Sequence, residues 1–322
     1  MRLATVREGR DGRLAVVSRD GLFLTAADDI APTLQDALDR WADVEPALRN
    51  LSAELDAGGI KGTAVGAVTL AAPLPRSWQW LDGSAFPSHG ALMDQLLGIK
   101  PEKTGRPLMY QGLSDHFLGA FDDVALPSEA DGIDFEGEFG VVVGEVPMGI
   151  PADEALAYVR LVVQINDWSL RALAGPEMKT GFGWVQAKPA CSMAPFAITP
   201  NDLGDAWHDG RVSLDLAVER SGEWFGNPNG AAMEYGFHEL IAHAARTRRL
   251  CAGTIIGSGT VSNADYRTVG SSCIAERRGI EIIDHGQAST PFLSFGETVR
   301  MEARTTSGEA PFGVLFQRVT KA

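Results

Sequence analysis

Cysteine is scarce in this chain: three residues in 322, Cys191, Cys251 and Cys273, an odd number without the paired spacing of a zinc cluster or a disulfide framework. Reduced thiols in a cytoplasmic protein are therefore expected, and none is read as a nucleophile. Long apolar runs are also missing, which excludes a bilayer-spanning helix. The opening MRLATVREGRDGRLAVV has charges spread through it and lacks the apolar centre of a signal peptide. Basic residues are few, 28 against 42 acidic ones, and the formal charge of -14 repels nucleic acid and anionic membranes over most of the surface. Neither a GxGxxG opening a helix nor a Walker phosphate loop is present, so nucleotide binding has no positive support.

What remains is enough apolar residue, 45% of the chain, to bury a full core, with one large domain and a smaller one expected. LAVV and LFL between RDG turns predict short strands up to about residue 24. Thr33 and Asp36 then precede Leu34, Ala37, Leu38, Trp41, Val44, Leu48 and Leu51 at helical spacing. A strand over Thr63–Leu70 and the stiff connector AAPLPRS follow, placing a boundary near residue 72: a small β-rich unit over 1–72 and a larger domain over 73–322. Beyond it the patterns predict a helix around His89–Leu97, then a Gly- and Pro-punctuated stretch to Asp131. Strands are predicted at Phe139–Val146, in VRLVVQIND, and at about 212–219, 280–284, 297–303 and 311–318; helices are predicted at Ala152–Tyr158 and about 233–247. The class is mixed α/β and β-rich, without the regular alternation of a doubly wound sheet.

Three clusters and two further segments carry chemistry. In DGIDFEGEFGVVVGEV, Glu136 and Glu138 are two apart, so an extended backbone points both carboxylates to one face, with Gly137 between them leaving room for close approach. Two like charges there favour a bound cation, and an all-oxygen set suits Mg, Ca or Mn; a solvated ExE at a sheet edge is the bland alternative. QINDWSLR ends an apolar strand in a polar cluster, where Asp167 offers a third carboxylate and Arg171 a fork for a carboxylate or oxyanion. A turn cap at Asp167 and a surface ion pair at Arg171 are equally open. LDGSAFPSHG sets Asp82 seven residues before His89, a candidate ligand or general base or simply a structural histidine. GTIIGSGTVSN supplies glycines, hydroxyls and backbone donors fit for a small anion, or only a tight turn. Lys188, in WVQAKPAC, is a cation among apolar residues, part-buried or snorkelling.

The blocks DFEGEFGVVVG, NDWSLR, the Lys188 segment and SGTVSN, in that order from about Asp82 to the C-terminus, resemble the signature blocks of the fumarylacetoacetate hydrolase family. The resemblance implies a mixed β-roll C-terminal domain behind a small N-terminal one, a homodimer, and one divalent cation, Mg first with Ca or Mn as alternatives. It implies Asp82, Glu136, Glu138 and Asp167 as metal ligands, His89 as the base that activates water, Arg171 and Lys188 as catalytic and substrate-holding cations, and Tyr110 and Thr260 as substrate contacts. The glutamate that orients the histidine falls nearest Ile274 by counting, with Glu276 two residues later as the candidate. Ala174 stands where the family pattern has an oxyanion glutamine, and Cys191 and Ser192 where it has glycine and threonine. The expected reaction is hydrolysis of a carbon–carbon bond in a small diketo acid, fumarylacetoacetate foremost. The alternatives are a 2-keto acid decarboxylase, hydratase or isomerase of the same family, a fumarylpyruvate or acylpyruvate hydrolase, and a metal-stabilised binding protein.

Overall fold

A computed structural model describes residues 1–97 and 105–322. Its main sheet has eleven strands: β1 Arg2–Val6, β2 Arg13–Val17, β3 Phe23–Ala26, β4 Thr63–Ala64, β5 Trp80–Ser84, β6 Leu108–Gly112, β7 Gly137–Val143, β8 Val159–Asn166, β9 Ser192–Met193, β10 Ala197–Ile198 and β11 Ile255–Gly257. The order across it is β4-β3-β2-β1-β10-β8-β7-β11-β5-β6, with β9 pairing β8. The chain thus forms a small N-terminal part, β1–β4 with two helices, and a larger mixed, β-rich C-terminal part. One sheet runs through both, because β1 pairs antiparallel with β10, Leu3 opposite Ala197.

Strand alternation sorts the core onto two faces. Leu81, Phe139, Val141, Val143 and Ile256 face a second, five-stranded sheet, order Glu223–Gly226, Asp215–Arg220, Thr298–Arg304, Leu315–Lys321, Val124–Leu126. Trp80, Val142, Leu161, Val163, Ile165 and Ile255 face the other way and pack with Leu34, Ala37, Leu38 and Leu48 of helices α1 Leu34–Asp39 and α2 Trp41–Asp56. With both faces covered, all seven residues of β7 are buried, which accounts for its run of apolar residues.

Three expectations are corrected. The long helix predicted from Leu34 breaks at Arg40, whose φ of -125° leaves the helical region; Thr33 caps only its first piece, accepting the Asp36 N–H. The strand over Thr63–Leu70 is limited to β4, and a turn of 3-10 helix at Val65–Ala67 follows, because these mostly exposed residues give a longer strand little to bury. Residues 280–284 lie not in a strand but in a helix. A short apolar run does not distinguish the two, and here the ends decide: Cys273 caps the start, and Gly286 ends it in the left-handed region at φ 81°. The remaining helices that matter for the site are α3 Pro87–Leu97, α4 Arg171–Met178, α5 Phe237–Ala244 and α6 Ile274–His285. The strands foreseen at Phe139–Val146 and in VRLVVQIND are β7 and β8, and the helix foreseen around His89 is α3. The first part of the Gly- and Pro-punctuated stretch lies outside the described residues.

Candidate metal centre and its surroundings

On one face of the main sheet, the apolar stripe turns acidic toward one end. Along β7 that face carries Val142, Gly140, then Glu138 and Glu136; along β8, Leu161, Val163, Ile165 and then Asp167; along β5, Trp80 and then Asp82. Pairing brings them abreast: Glu138 lies beside Ile165, Gly257 beside both Gly140 and Asp82, and Asp82 beside Tyr110 of β6. Ligand-capable oxygens of Asp82, Glu138 and Asp167 all lie within 4.8 Å of one another.

Glycine makes this convergence possible. β11 separates β5 from β7, and a Cβ at Gly257 would sit 2.4 Å from Asp82 Oδ1 and 2.3 Å from the Trp80 ring. Gly259, at φ 77°, lets the chain turn so that its N–H donates to Asp82 Oδ1 at 3.1 Å. Thr260 follows it, buried. Gly137 has a different use from the one expected: a Cβ there would meet Leu216 at 2.8 Å on the opposite face.

Cations neutralise part of the acid. Lys188 is buried rather than snorkelling, and its Nζ donates to Glu136 Oε2 at 2.7 Å and Asp167 Oδ2 at 2.6 Å. Arg171 donates through Nη2 to Glu136 Oε1 at 2.6 Å and through Nε to Asp134 Oδ2 at 2.7 Å. Both oxygens of Glu136 are therefore taken by cations, which sets it beside the trio rather than within it. The Tyr110 hydroxyl donates to Asp167 Oδ2 at 2.6 Å, and the Cys191 thiol to Asp167 Oδ1 at 2.8 Å. Tyr110 packs edge-on against Trp184, 4.8 Å between ring centroids, and Lys188 Nζ lies 5.4 Å and 5.8 Å from the two rings.

Glu138 is the exception. It is fully buried, and among the described residues no donor hydrogen-bonds either carboxylate oxygen. Its polar neighbour is the carboxylate of Asp82, a contact that becomes attractive only when one of the two holds a proton or a cation lies between them. Burial, then the charges of Asp82 and Asp167, push Glu138 well above the usual carboxylate range; burial and Asp167 do the same to Asp82. Glu136 goes the other way: burial opposes its charge, but Lys188 and Arg171 outweigh that and hold it low. Lys188 is raised despite burial, by Asp167 and Glu136. Five buried carboxylates, counting Asp134, thus face two cations. The orphaned Glu138 and an all-oxygen donor set fit a hard divalent ion.

A second group stands beside this one. His89 Nδ1 lies 2.9 Å from Glu276 Oε2, joining the first turns of α3 and α6. His89 is near enough to Glu136 to lower its pKa, and it keeps partial exposure, 16% of its side chain. Ser88 Oγ donates to Ser262 Oγ at 2.8 Å, fixing α3 against the SGTVSN loop. Asp134, two residues before Glu136 and not singled out by the sequence, proves central: fully buried, it accepts the N–H groups of Ile274 and Ala275 at 2.7 Å and 2.9 Å while holding Arg171. Cys191 and Cys273 were also passed over. The i,i+3 pair Cys273 and Glu276, a capping position followed by an acid, was the signal that could have marked the start of α6.

The sequence profile described as fumarylacetoacetate (FAA) hydrolase C-terminal matches residues 79–320. The chain belongs to the fumarylacetoacetate hydrolase family. The profile for fumarylacetoacetase N-terminal domain 2 of that family matches residues 1–76. Among curated family relatives, a 2,4-didehydro-3-deoxy-L-rhamnonate hydrolase of Sphingomonas sp. (strain SKA58) is 29% identical over 157 residues, 48% of this chain and 52% of that one. The mitochondrial oxaloacetate tautomerase Fahd2a of Rattus norvegicus is 27% identical over 157 residues, 48% of each chain. The matches thus span about half the length of these relatives. Among solved structures, a maleylpyruvate hydrolase of Sphingobium sp. SYK-6, in complex with manganese(II) and pyruvate, shares the fold at a TM-score of 0.68, with 16% identity and all of both chains covered. Among the described residues no helix is long and apolar enough to cross a membrane.

Proposed function

We propose that this protein uses a divalent cation, held by Asp82, Glu138 and Asp167 with Glu136 as the fourth carboxylate, to interconvert the keto and enol forms of a small 2-oxo acid. The observation that carries this reading is the buried, donorless Glu138 between two further carboxylates. When bound, the cation supplies charge compensation and polarises the oxo group. His89 moves the proton: with Nδ1 against Glu276, Nε2 is the atom free to take it from, or return it to, the carbon next to the oxo group. Thr260 orients the substrate carboxylate, and Tyr110, whose hydroxyl donates to Asp167, lines the same site with its ring. Arg171 and Lys188 hold the acid cluster in register and give the site its positive edge. Mg is the first choice of cation, with Mn or Ca as alternatives. The unit is a homodimer whose N-terminal domain ends near residue 72.

Two features favour proton transfer at carbon over hydrolysis. A hydrolytic tetrahedral intermediate needs donors aimed at its oxyanion, yet Arg171 and Lys188 are each committed to two carboxylates, and Ala174 offers no side-chain donor. Oxaloacetate tautomerases are also among the relatives. The second reading, hydrolysis of an acylpyruvate-type bond, is favoured by the same His89–Glu276 pair, which can equally take a proton from water. Fumarylacetoacetate stands behind both, because the named relatives act on other acids.

The test is metal-stripped protein with Mg or Mn restored. Loss of enol absorbance from oxaloacetate is followed alongside mass spectrometry of acetylpyruvate, fumarylpyruvate and fumarylacetoacetate. Metal-restored ketonisation that disappears in His89→Asn supports the proposal. Cleavage without ketonisation selects the second reading, and turnover indifferent to metal rejects both.

A further inference from the structure

We propose that His89, Cys273 and Glu276 form a second metal site, one for a thiophilic divalent ion such as Zn, distinct from the all-oxygen trio. One ligand-capable atom from each residue lies within 4.8 Å of the other two. Tetrahedral zinc with bonds of about 2.0–2.3 Å requires ligand separations of roughly 3.3–3.8 Å, which a small contraction of this group reaches. The nitrogen, sulfur and oxygen donors suit zinc, whereas the carboxylate trio suits harder ions.

An independent observation points to a missing ligand. Glu276 is fully buried, and while its Oε2 meets His89, its Oε1 has no hydrogen-bond partner among the described residues. Cys273 caps α6 and Glu276 stands three residues on, so both occupy the first turn; the Cys273 Sγ already accepts the Glu276 N–H at 3.3 Å. Burial and the neighbouring charge of Asp134 oppose a free thiolate there, so a strongly thiophilic ion is needed to displace the thiol proton. Binding releases the thiol proton to solvent and leaves the sulfur electron pair on the metal, with no change of oxidation state. Three protein ligands would leave a fourth position for solvent. Binding stands on this geometry alone. Its consequence, that zinc inhibits turnover by occupying His89, rests on the proton-carrier reading above.

The experiment titrates the full chain, with Mg in excess to fill the trio, using Co as a spectroscopic stand-in for Zn. One equivalent should develop sulfur-to-cobalt charge-transfer absorption. That absorption should vanish in Cys273→Ser, which keeps an oxygen at the capping position. Affinity should fall at least tenfold in His89→Ala, and the absorption should persist in Glu138→Gln and Cys191→Ser. Absence of the band in the unmodified protein, its survival in Cys273→Ser, or its loss in Cys191→Ser, whose thiol adjoins Asp167, overturns the site. Zinc should abolish turnover in the unmodified protein and spare Cys273→Ser. Binding with turnover intact would leave the site standing and overturn His89 as proton carrier.

Discussion

Replacing Glu138 by Gln keeps the shape of the side chain and removes its charge, so it separates a carboxylate that serves folding from one that serves a cation. Among the described residues Glu138 accepts no hydrogen bond, and it faces Asp82 and Asp167 in full burial. An amide there can donate to Asp82, relieving an unsatisfied group whose cost is about 1–3 kcal/mol. The metal-free variant should therefore equal or exceed the unmodified protein in stability. Added cation reverses the comparison: at about 100 times Kd it stabilises the unmodified protein by about 2.7 kcal/mol. At about 2 °C per kcal/mol, the low end for domains of roughly 150–250 residues, that is a rise of about 5 °C in Tm. The variant should show almost none of it. Thermal unfolding with chelator, and again with Mn, reads both signs. An equal Mn-induced rise in the two proteins, or a metal-free variant several kcal/mol weaker, would refute the reasoning.

Gly257→Ala should remove metal binding and turnover together, because the added Cβ would sit 2.4 Å from Asp82 Oδ1; calorimetric titration with Mn checks it, and unchanged affinity would contradict it. Glu281 offers a pH prediction away from the site. Partial burial pushes its carboxyl up, but hydrogen bonds from the Thr290 hydroxyl and the Thr290 and Ser289 N–H groups prevail and hold it at about 2 against an ordinary 4.5. A depressed folded-state pKa contributes stability above the unfolded value, and that stability is lost as pH falls toward 2. The urea midpoint should therefore drop less between these pH values in Glu281→Gln than in the unmodified protein, and identical slopes would count against the hydrogen bonds.

Local pattern carried a good part of this architecture. The ExE spacing on an extended strand places Glu136 and Glu138 on one face, and QIND ends a strand at Asp167, because both rest on period-two alternation that backbone geometry imposes. What strand neighbours do to one another was not legible. Nothing in GTIIGSG states that Gly257 will lie between Asp82 and Gly140 and clear the space for a carboxylate. Whether Lys188 is buried or snorkels was not legible, because its partners, Glu136 and Asp167, lie 52 and 21 residues away. His89 and Glu276 are 187 residues apart, and counting along the family pattern falls on Ile274 with Glu276 as the candidate two residues on; the cap on α6 is what brings Glu276 to the histidine. The strand predicted at 280–284 failed for a related reason, since apolar content was weighed ahead of the capping signals at either end. Asp134 was invisible as an organiser because its task, joining Arg171 to the start of α6, is entirely tertiary.

The most direct test of the central claim is anomalous diffraction from crystals of the metal-stripped protein soaked in Mn. The account predicts one strong anomalous peak bounded by Asp82, Glu138 and Asp167, which Glu138→Gln abolishes. A peak only elsewhere, or none at saturating Mn with the three carboxylates unmoved, would contradict it.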